Sequence, residues 1–322
     1  MGQCFHWISP VNCSPGVTGS FQDVDLDSYV GGLGPEVTGV LLRFFNVDGG
    51  ERYIGWRKKG STDNRPQFIE LECSTFAAVG VDANHIFQVY IQTVWQYCYI
   101  YAYTTTPGVE FFTNGVDKSL GAGYAWTDTD CSTEAPGAIG LIFETHSSEE
   151  RNWGFRKKGS TDNRTDYMHK KSGGSPIIGC NGSQVCQQYI TNPATQDAYL
   201  SGYVTDLAIF HTNGLDRSLG VTGSYQDLAA LPADAAGGFY EVMANLPYKY
   251  DLRKKGYGGS IYYDVARHLW APIECDNNKL VQGQIENVGV DFFEMGYAIL
   301  SLPGTLGKSA AMAAKMMAGR MI

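Results

Sequence analysis

One eleven-residue segment occurs twice, almost letter for letter. Gly55, Trp56, Arg57, Lys58, Lys59, Gly60, Ser61, Thr62, Asp63, Asn64 and Arg65 return 99 residues later as Gly154, Phe155, Arg156, Lys157, Lys158, Gly159, Ser160, Thr161, Asp162, Asn163 and Arg164. A degraded third copy, Arg253, Lys254, Lys255 and Gly256, follows 97 residues further on. A second segment keeps the same step: Phe111 to Gly121, containing Asn114, Gly115, Asp117 and Lys118, returns as Phe210 to Gly220. Its faint first copy is His6 and Trp7, then Val11, Asn12, Ser14 and Gly16. Val79, Gly80, Val81 and Asp82 align with Ile178 to Asn181 and with Ile273 to Asp276, and Gln88, Gln187 and Gln282 fall in register. A period near 100 is too long for the rungs of a solenoid, which run about 20 to 50 residues. The chain therefore divides into three duplicated units, residues 1–108, 109–207 and 208–303, and a remainder, 304–322.

Within a unit the signals are for strands. Thr38 to Phe45 and Ile139 to Phe143 are β-branched and aromatic runs entered through glycine, and Ile86 to Tyr103 alternates large apolar residues with Gln, Tyr and Thr. Asn114-Gly115, Asn213-Gly214 and Asn181-Gly182 suit the φ > 0 positions of tight hairpins. Helical periodicity is scarce before residue 305. The expectation is an all-β chain of three tandem antiparallel β-sandwiches, jelly-roll-like or immunoglobulin-like, followed by a short helical tail.

Composition narrows the function. The 322 residues carry 24 Lys and Arg against 33 Asp and Glu, a net charge of −9, which argues against nucleic acid as the main partner. No window offers the ~18 consecutive apolar residues of a membrane span, and the amino terminus lacks the basic-then-apolar pattern of a secretory signal. The eight cysteines are spread thinly without paired spacing, and the six histidines are scattered. Buried free thiols made in a reducing cytoplasm are expected, with no metal site and no cofactor.

The basic motif has two readings. Alternation along a strand places Arg57 and Lys59 on one face and Lys58 on the other, with Gly60 to Arg65 as a turn in which Arg65 pairs with Asp63. As a structural device it is a salt-bridged hairpin that packs each unit or joins it to the next. As a binding device, Arg57, Lys58, Lys59, Asp63 and Arg65, with Arg156, Lys157, Lys158, Asp162 and Arg164 and the remnant Arg253, Lys254 and Lys255, contact a neighbouring protein subunit, an acidic glycan or a phosphate. Catalysis is not expected, because a reaction needs one assembled site and the third copy has lost Ser-Thr-Asp-Asn-Arg. Asp23, Asp25 and Asp27 lack the glycine and glutamate of a calcium loop and read as a surface strand. Glu144, Glu149 and Glu150 near His146 read as a solvated loop. Trp7, Trp126 and Tyr225 are candidates for stacking on sugar rings or for the core.

The tail from Ser309 to Ile322 is a good helix former, with Lys315 and Arg320 near its end. Met312, Met316 and Met317 would let it dock as an arm on a partner; a frayed end and an amphipathic membrane helix are the alternatives.

Tandem β-units carrying R-K-K-G-S-T-D-N-R and F-x-T-N-G-x-D-K-S-L-G, with a helical tail and no enzyme motif, resemble the repeat domains of bacteriophage virion structural proteins of the capsid-decoration or tail-associated type. The resemblance spans residues 6 to about 300. It implies a multi-copy, non-enzymatic assembly protein, homo-oligomeric and bound to other virion subunits, assembled in the host cytoplasm and resident in the virion. A carbohydrate-binding or adhesin protein contacting a host surface glycan is the alternative.

Overall fold

The computed structural model describes residues 3–168, 173–258 and 266–300. Among these, apart from one 3-10 turn at Leu26–Ser28, all regular structure is strand. The first set is β1 (Phe5–Asn12), β2 (Gln22–Asp25), β3 (Val37–Asn46), β4 (Arg52–Lys58), β5 (Gln67–Ile69), β6 (Ser74–Gly80), β7 (Ile86–Ile91) and β8 (Gln96–Thr105). The second is β9 (Val109–Asp117), β10 (Thr127–Asp130), β11 (Gly140–Ser147), β12 (Arg151–Lys157), β13 (Asp166–Met168), β14 (Ile177–Gly179), β15 (Val185–Ile190) and β16 (Gln196–Val204). The third is β17 (Ala208–Asp216), β18 (Gln226–Asp227), β19 (Ala235–Ala244), β20 (Tyr250–Lys254), β21 (His268–Glu274), β22 (Val281–Ile285) and β23 (Val290–Ile299).

These strands pair antiparallel into six sheets. The first set supplies β1-β8-β3-β6 and β2-β7-β4-β5, the second β9-β16-β11-β14 and β10-β15-β12-β13, the third β17-β23-β19-β21 and β18-β22-β20. In β7, β15 and β22 burial alternates residue by residue, as Gln88, Gln187 and Gln282 on one face and Val89, Gln188 and Gly283 on the other require. In β6, by contrast, every residue from Ser74 to Gly80 is buried, and β3, β19 and β21 are buried almost throughout. Both faces of those sheets are covered.

That double burial overturns the expectation of three tandem β-sandwiches. The sheets form a six-bladed β-propeller. Its blades come in interleaved pairs, because each set passes its strands back and forth between two sheets, with only β4-β5 and β12-β13 consecutive in one sheet among the described strands, whereas a blade is commonly one contiguous four-stranded stretch. Core clusters fill the space between paired blades, marked by Phe44 against Trp56 (5.5 Å), Phe143 against Phe155 (5.2 Å) and Tyr250 against Phe292 (6.3 Å). A further cluster draws Phe5 and Leu41 from the first set, Phe111 and Ile142 from the second, and Phe210 and Phe239 from the third. Phe239 touches Phe5 at 5.3 Å and Phe210 at 5.4 Å, so the third set returns to the first. Units strung in tandem would have no such shared centre. The run from Val40 to Phe45, apolar but for Arg43, fits burial on both faces, and repeat length says nothing about how units meet.

All eight cysteines are buried free thiols, and burial pushes the Cys4 and Cys131 thiols up to about 12. The tail expected to be helical, with Met312, Met316 and Met317, lies outside the described residues.

Candidate functional site

The Arg-Lys-Lys run ends β4, β12 and β20, and the turn after it needs a left-handed residue, which Gly60 (φ 87°), Gly159 (φ 93°) and Gly256 (φ 81°) supply. One network is common to all three copies. Arg57, Arg156 and Arg253 donate through Nε to Gln88, Gln187 and Gln282 at 2.7, 2.8 and 3.3 Å. Each glutamine amide donates to an aspartate, Asp23, Asp128 or Asp227, at 2.8, 2.9 and 3.0 Å. The same aspartates pair with Lys59, Lys158 and Lys255, and these ammonium groups, then the glutamine amides, hold all three carboxyls below their usual range. Each guanidinium lies over an aromatic ring: Phe21 at 4.1 Å, Trp126 at 4.1 Å and Tyr225 at 3.3 Å.

The rest of the motif reaches into the next repeat. Ser61 Oγ and the Thr62 amide donate to Asn114 Oδ1 at 2.8 and 2.9 Å, and Ser160 and Thr161 treat Asn213 identically. Asp63 accepts from the Gly115 amide at 2.8 Å and Asp162 from the Gly214 amide at 2.7 Å. Arg65 pairs with Asp63 and with Glu144, both at 2.7 Å, and covers Tyr199 at 4.0 Å. Arg164 pairs with Asp162 and with Glu241, both at 2.8 Å, and covers Phe293 at 4.3 Å. Lys58 and Lys157 donate to the carbonyls of Phe111 and Phe210 at 3.4 and 3.0 Å.

Two sequence expectations change here. Asn114-Gly115 and Asn213-Gly214 are not hairpin turns. They lie inside β9 and β17 at register shifts, and the absent Cβ leaves room for the guanidinium of Arg65 or Arg164, a nitrogen of which would stand 2.8 or 2.7 Å from it. Glu144 is not in a solvated loop but buried in β11. The signal for it was Glu241, which holds the same place in the third repeat: Glu144 faces Tyr199 across the sheet as Glu241 faces Phe293.

The two glutamates differ electrostatically. Burial pushes the Glu144 carboxyl up, and Arg65 only partly offsets it. Burial acts on Glu241 too, but hydrogen bonding from His268 at 2.9 Å, together with Arg164, outweighs it and holds that carboxyl down.

The junction that closes the ring, third repeat to first, is built differently. Gly256 is followed by Tyr257 and Gly258, with no Ser-Thr-Asp-Asn-Arg, and β1 has no Asn-Gly. At the register position of Glu144 and Glu241, facing Tyr99, stands Arg43. Its guanidinium reaches Asp251 at 3.5 Å, with side chains 2% and 0% exposed, so the polarity of the inter-repeat ion pair is reversed. Gly80 and Gly179 admit the rings of Phe111 and Phe210, because a Cβ there would stand 2.6 and 2.4 Å from the phenylalanine Cβ. The third repeat has Glu274 at that position, paired with Lys254 at 2.6 Å. The closing junction consequently keeps a cavity of about 200 Å³ bounded by Trp7, Ser9, Tyr101, Lys254, Tyr257 and Glu274. The corresponding space beside Lys58, Arg65 and Phe111 is about 20 Å³.

The residues singled out in the sequence thus gather at three junctions between repeats. Trp126 and Tyr225 serve as arginine platforms, and Trp7 faces the cavity. Among the described residues no group of three His, Cys, Asp or Glu side chains is placed to hold a metal ion, and no helix is long and apolar enough to cross a membrane.

No family model matches the chain, and no curated protein matches it. Among solved structures it is similar to a chain in the atomic structure of Sulfolobus Turreted Icosahedral Virus, at 8% identity over 92% of this chain and 92% of that one. The TM-score is 0.24, at which no shared fold is implied.

Proposed function

We propose that the chain is a non-enzymatic structural protein of a virus particle, a capsid-decoration or tail-associated component present in many copies and contacting neighbouring virion subunits. The observation that carries this reading is where the repeated cations go. In the first two copies each is spent on locking a repeat to itself or to the next, through Gln88, Asp23, the Phe111 carbonyl and Glu144 and their counterparts. A chain that invests its repeated polar residues in rigidity, and presents three related outer surfaces from one polypeptide, suits a lattice or particle position where it meets several neighbours at once.

The test is mass spectrometry and immunogold electron microscopy on purified particles from the organism that encodes the chain. Stoichiometric recovery with surface labelling is the expected result. Recovery of the chain only from the particle-free supernatant would overturn the proposal.

A further inference from the structure

The closing junction holds the one place where the clamp has been dismantled on both sides, and its cavity is about ten times the space left at the first junction. The walls are of two kinds. Trp7, Tyr101 and Tyr257 give aromatic surface, continued by the aliphatic Ile8, Pro10 and Ile273. Lys254 and Glu274 give a cation and a carboxylate held at 2.6 Å, and Ser9 adds a hydroxyl. Trp7 lines the cavity with its ring, whereas its Nε1 is closed to water and adds no donor to the wall.

We propose that this cavity binds a single sugar ring of a glycan. A pyranose offers C–H faces for the aromatic wall and hydroxyls that both accept, from Lys254, and donate, to Glu274. A hydrocarbon would desolvate the Lys254–Glu274 pair and the Ser9 hydroxyl without offering them a hydrogen bond, and a simple anion would meet the Glu274 carboxylate. Sites for drug-sized ligands run about 300–1,000 Å³, so a cavity of about 200 Å³ takes one ring and not a chain of them. The site does not depend on where the protein resides: it is a recognition site for a terminal or branch sugar, whether or not the chain is part of a particle.

The experiment uses the full chain, labelled with ¹⁵N, titrated with the methyl glycosides of glucose, galactose, mannose, N-acetylglucosamine and N-acetylneuraminic acid. At least one is expected to shift the Trp7 indole N–H resonance at millimolar concentration, with saturation transfer to its ring protons. Glu274→Gln and Tyr257→Ala, both at partly buried positions, should each weaken that binding at least about tenfold. Trp95→Ala, at a 57% exposed residue elsewhere, should leave it unchanged. No shift of Trp7 by any of the five sugars, or binding that persists in both cavity variants, overturns the proposal. The reading in the wild-type chain needs no variant to fold.

Discussion

Arg65 is the residue through which the first repeat grips the second, and its removal should have a cost that depends on pH in a calculable way. Arg65→Ala deletes ion pairs at 2.7 Å to Asp63 and to Glu144 and exposes the face of Tyr199. Asp63 keeps its bond from the Gly115 amide, but Glu144, 7% exposed, is left as an unbalanced buried carboxylate. Breaking a buried pair in this way costs about 3–5 kcal/mol. Protonation sets a ceiling on the part due to Glu144. Neutralising a carboxyl of ordinary pKa costs ~3.7 kcal/mol at pH 7 and ~1 kcal/mol at pH 5. The direction follows from linkage. Burial already raises Glu144 above its unfolded value, and loss of Arg65 raises it further, so the folded variant binds more protons than the unfolded chain over a window extending from the ordinary carboxyl range toward neutrality. Stability of the variant therefore falls as pH rises through that window, and the gap to wild type widens. Urea unfolding followed by tryptophan fluorescence should give a destabilisation of about 4 kcal/mol at pH 7 and about 1–2 kcal/mol at pH 5. In a Glu144→Gln background the same substitution should cost about 1–2 kcal/mol at both. A cost below about 1 kcal/mol at pH 7, or one that does not change with pH, would refute the reasoning.

Two further substitutions address the fit of the junctions. Gly179→Ala puts a Cβ 2.4 Å from the Phe210 Cβ and should destabilise by about 1–3 kcal/mol, whereas Gly49→Ala, with nothing within 4 Å, should be close to neutral; equal melting shifts for the two would contradict the close approach. Arg43→Glu sets a carboxylate against the fully buried Asp251 and should sharply reduce soluble yield and melting temperature, with Arg43→Glu/Asp251→Arg recovering much of both. A single variant as stable as wild type would mean that the reversed pair does not hold the closing junction.

How far the sequence carried the reading can be judged from particular residues. The 99-residue offset made Arg57 and Arg156 equivalent, and the register of Gln88, Gln187 and Gln282 already held their hydrogen-bond acceptors. All-β structure was legible because alternation in β7 and glycine-entered apolar runs are local signals. The relation between repeats was not. A stretch such as Val40 to Phe45, apolar but for Arg43, does not say whether its second face meets the same unit or another, and the contact of Phe5 with Phe239 spans more than two thirds of the chain. Asn114-Gly115 was misread because the same dipeptide serves a hairpin and a strand irregularity equally well, and only the arrival of Arg65 from another repeat distinguishes them. Glu144 looked solvated because a lone acid in a strand gives no local sign of a distant guanidinium.

The departures from repetition at the closing junction have a common consequence. If every junction used the same clamp, the free end of the third repeat in one molecule would fit the free face of the first repeat in another, and a head-to-tail contact that need not close is a route to open-ended chains. In this chain mismatched junctions are blocked at three points, which leaves third repeat to first as the one contact that the two ends can make. Arg43 stands where Glu144 and Glu241 accept an arginine, so a first repeat repels the Arg65 and Arg164 loops of any neighbour. Asp251, on β20, offers the opposite charge in the position that Gly55 and Gly154 hold in the other repeats, and only a first repeat carries the arginine to meet it. Glu274 fills the position where Gly80 and Gly179 receive a phenylalanine ring, so the third repeat cannot take the β9 or β17 segment of another copy. Covalent linkage through the second repeat then keeps the third repeat near its own first repeat at high effective concentration, and the unique pair selects that closure. The same departures open the space beside Trp7 that is proposed to take a sugar ring, since a junction that must differ from its two siblings cannot reuse the ring and glycine that fill them.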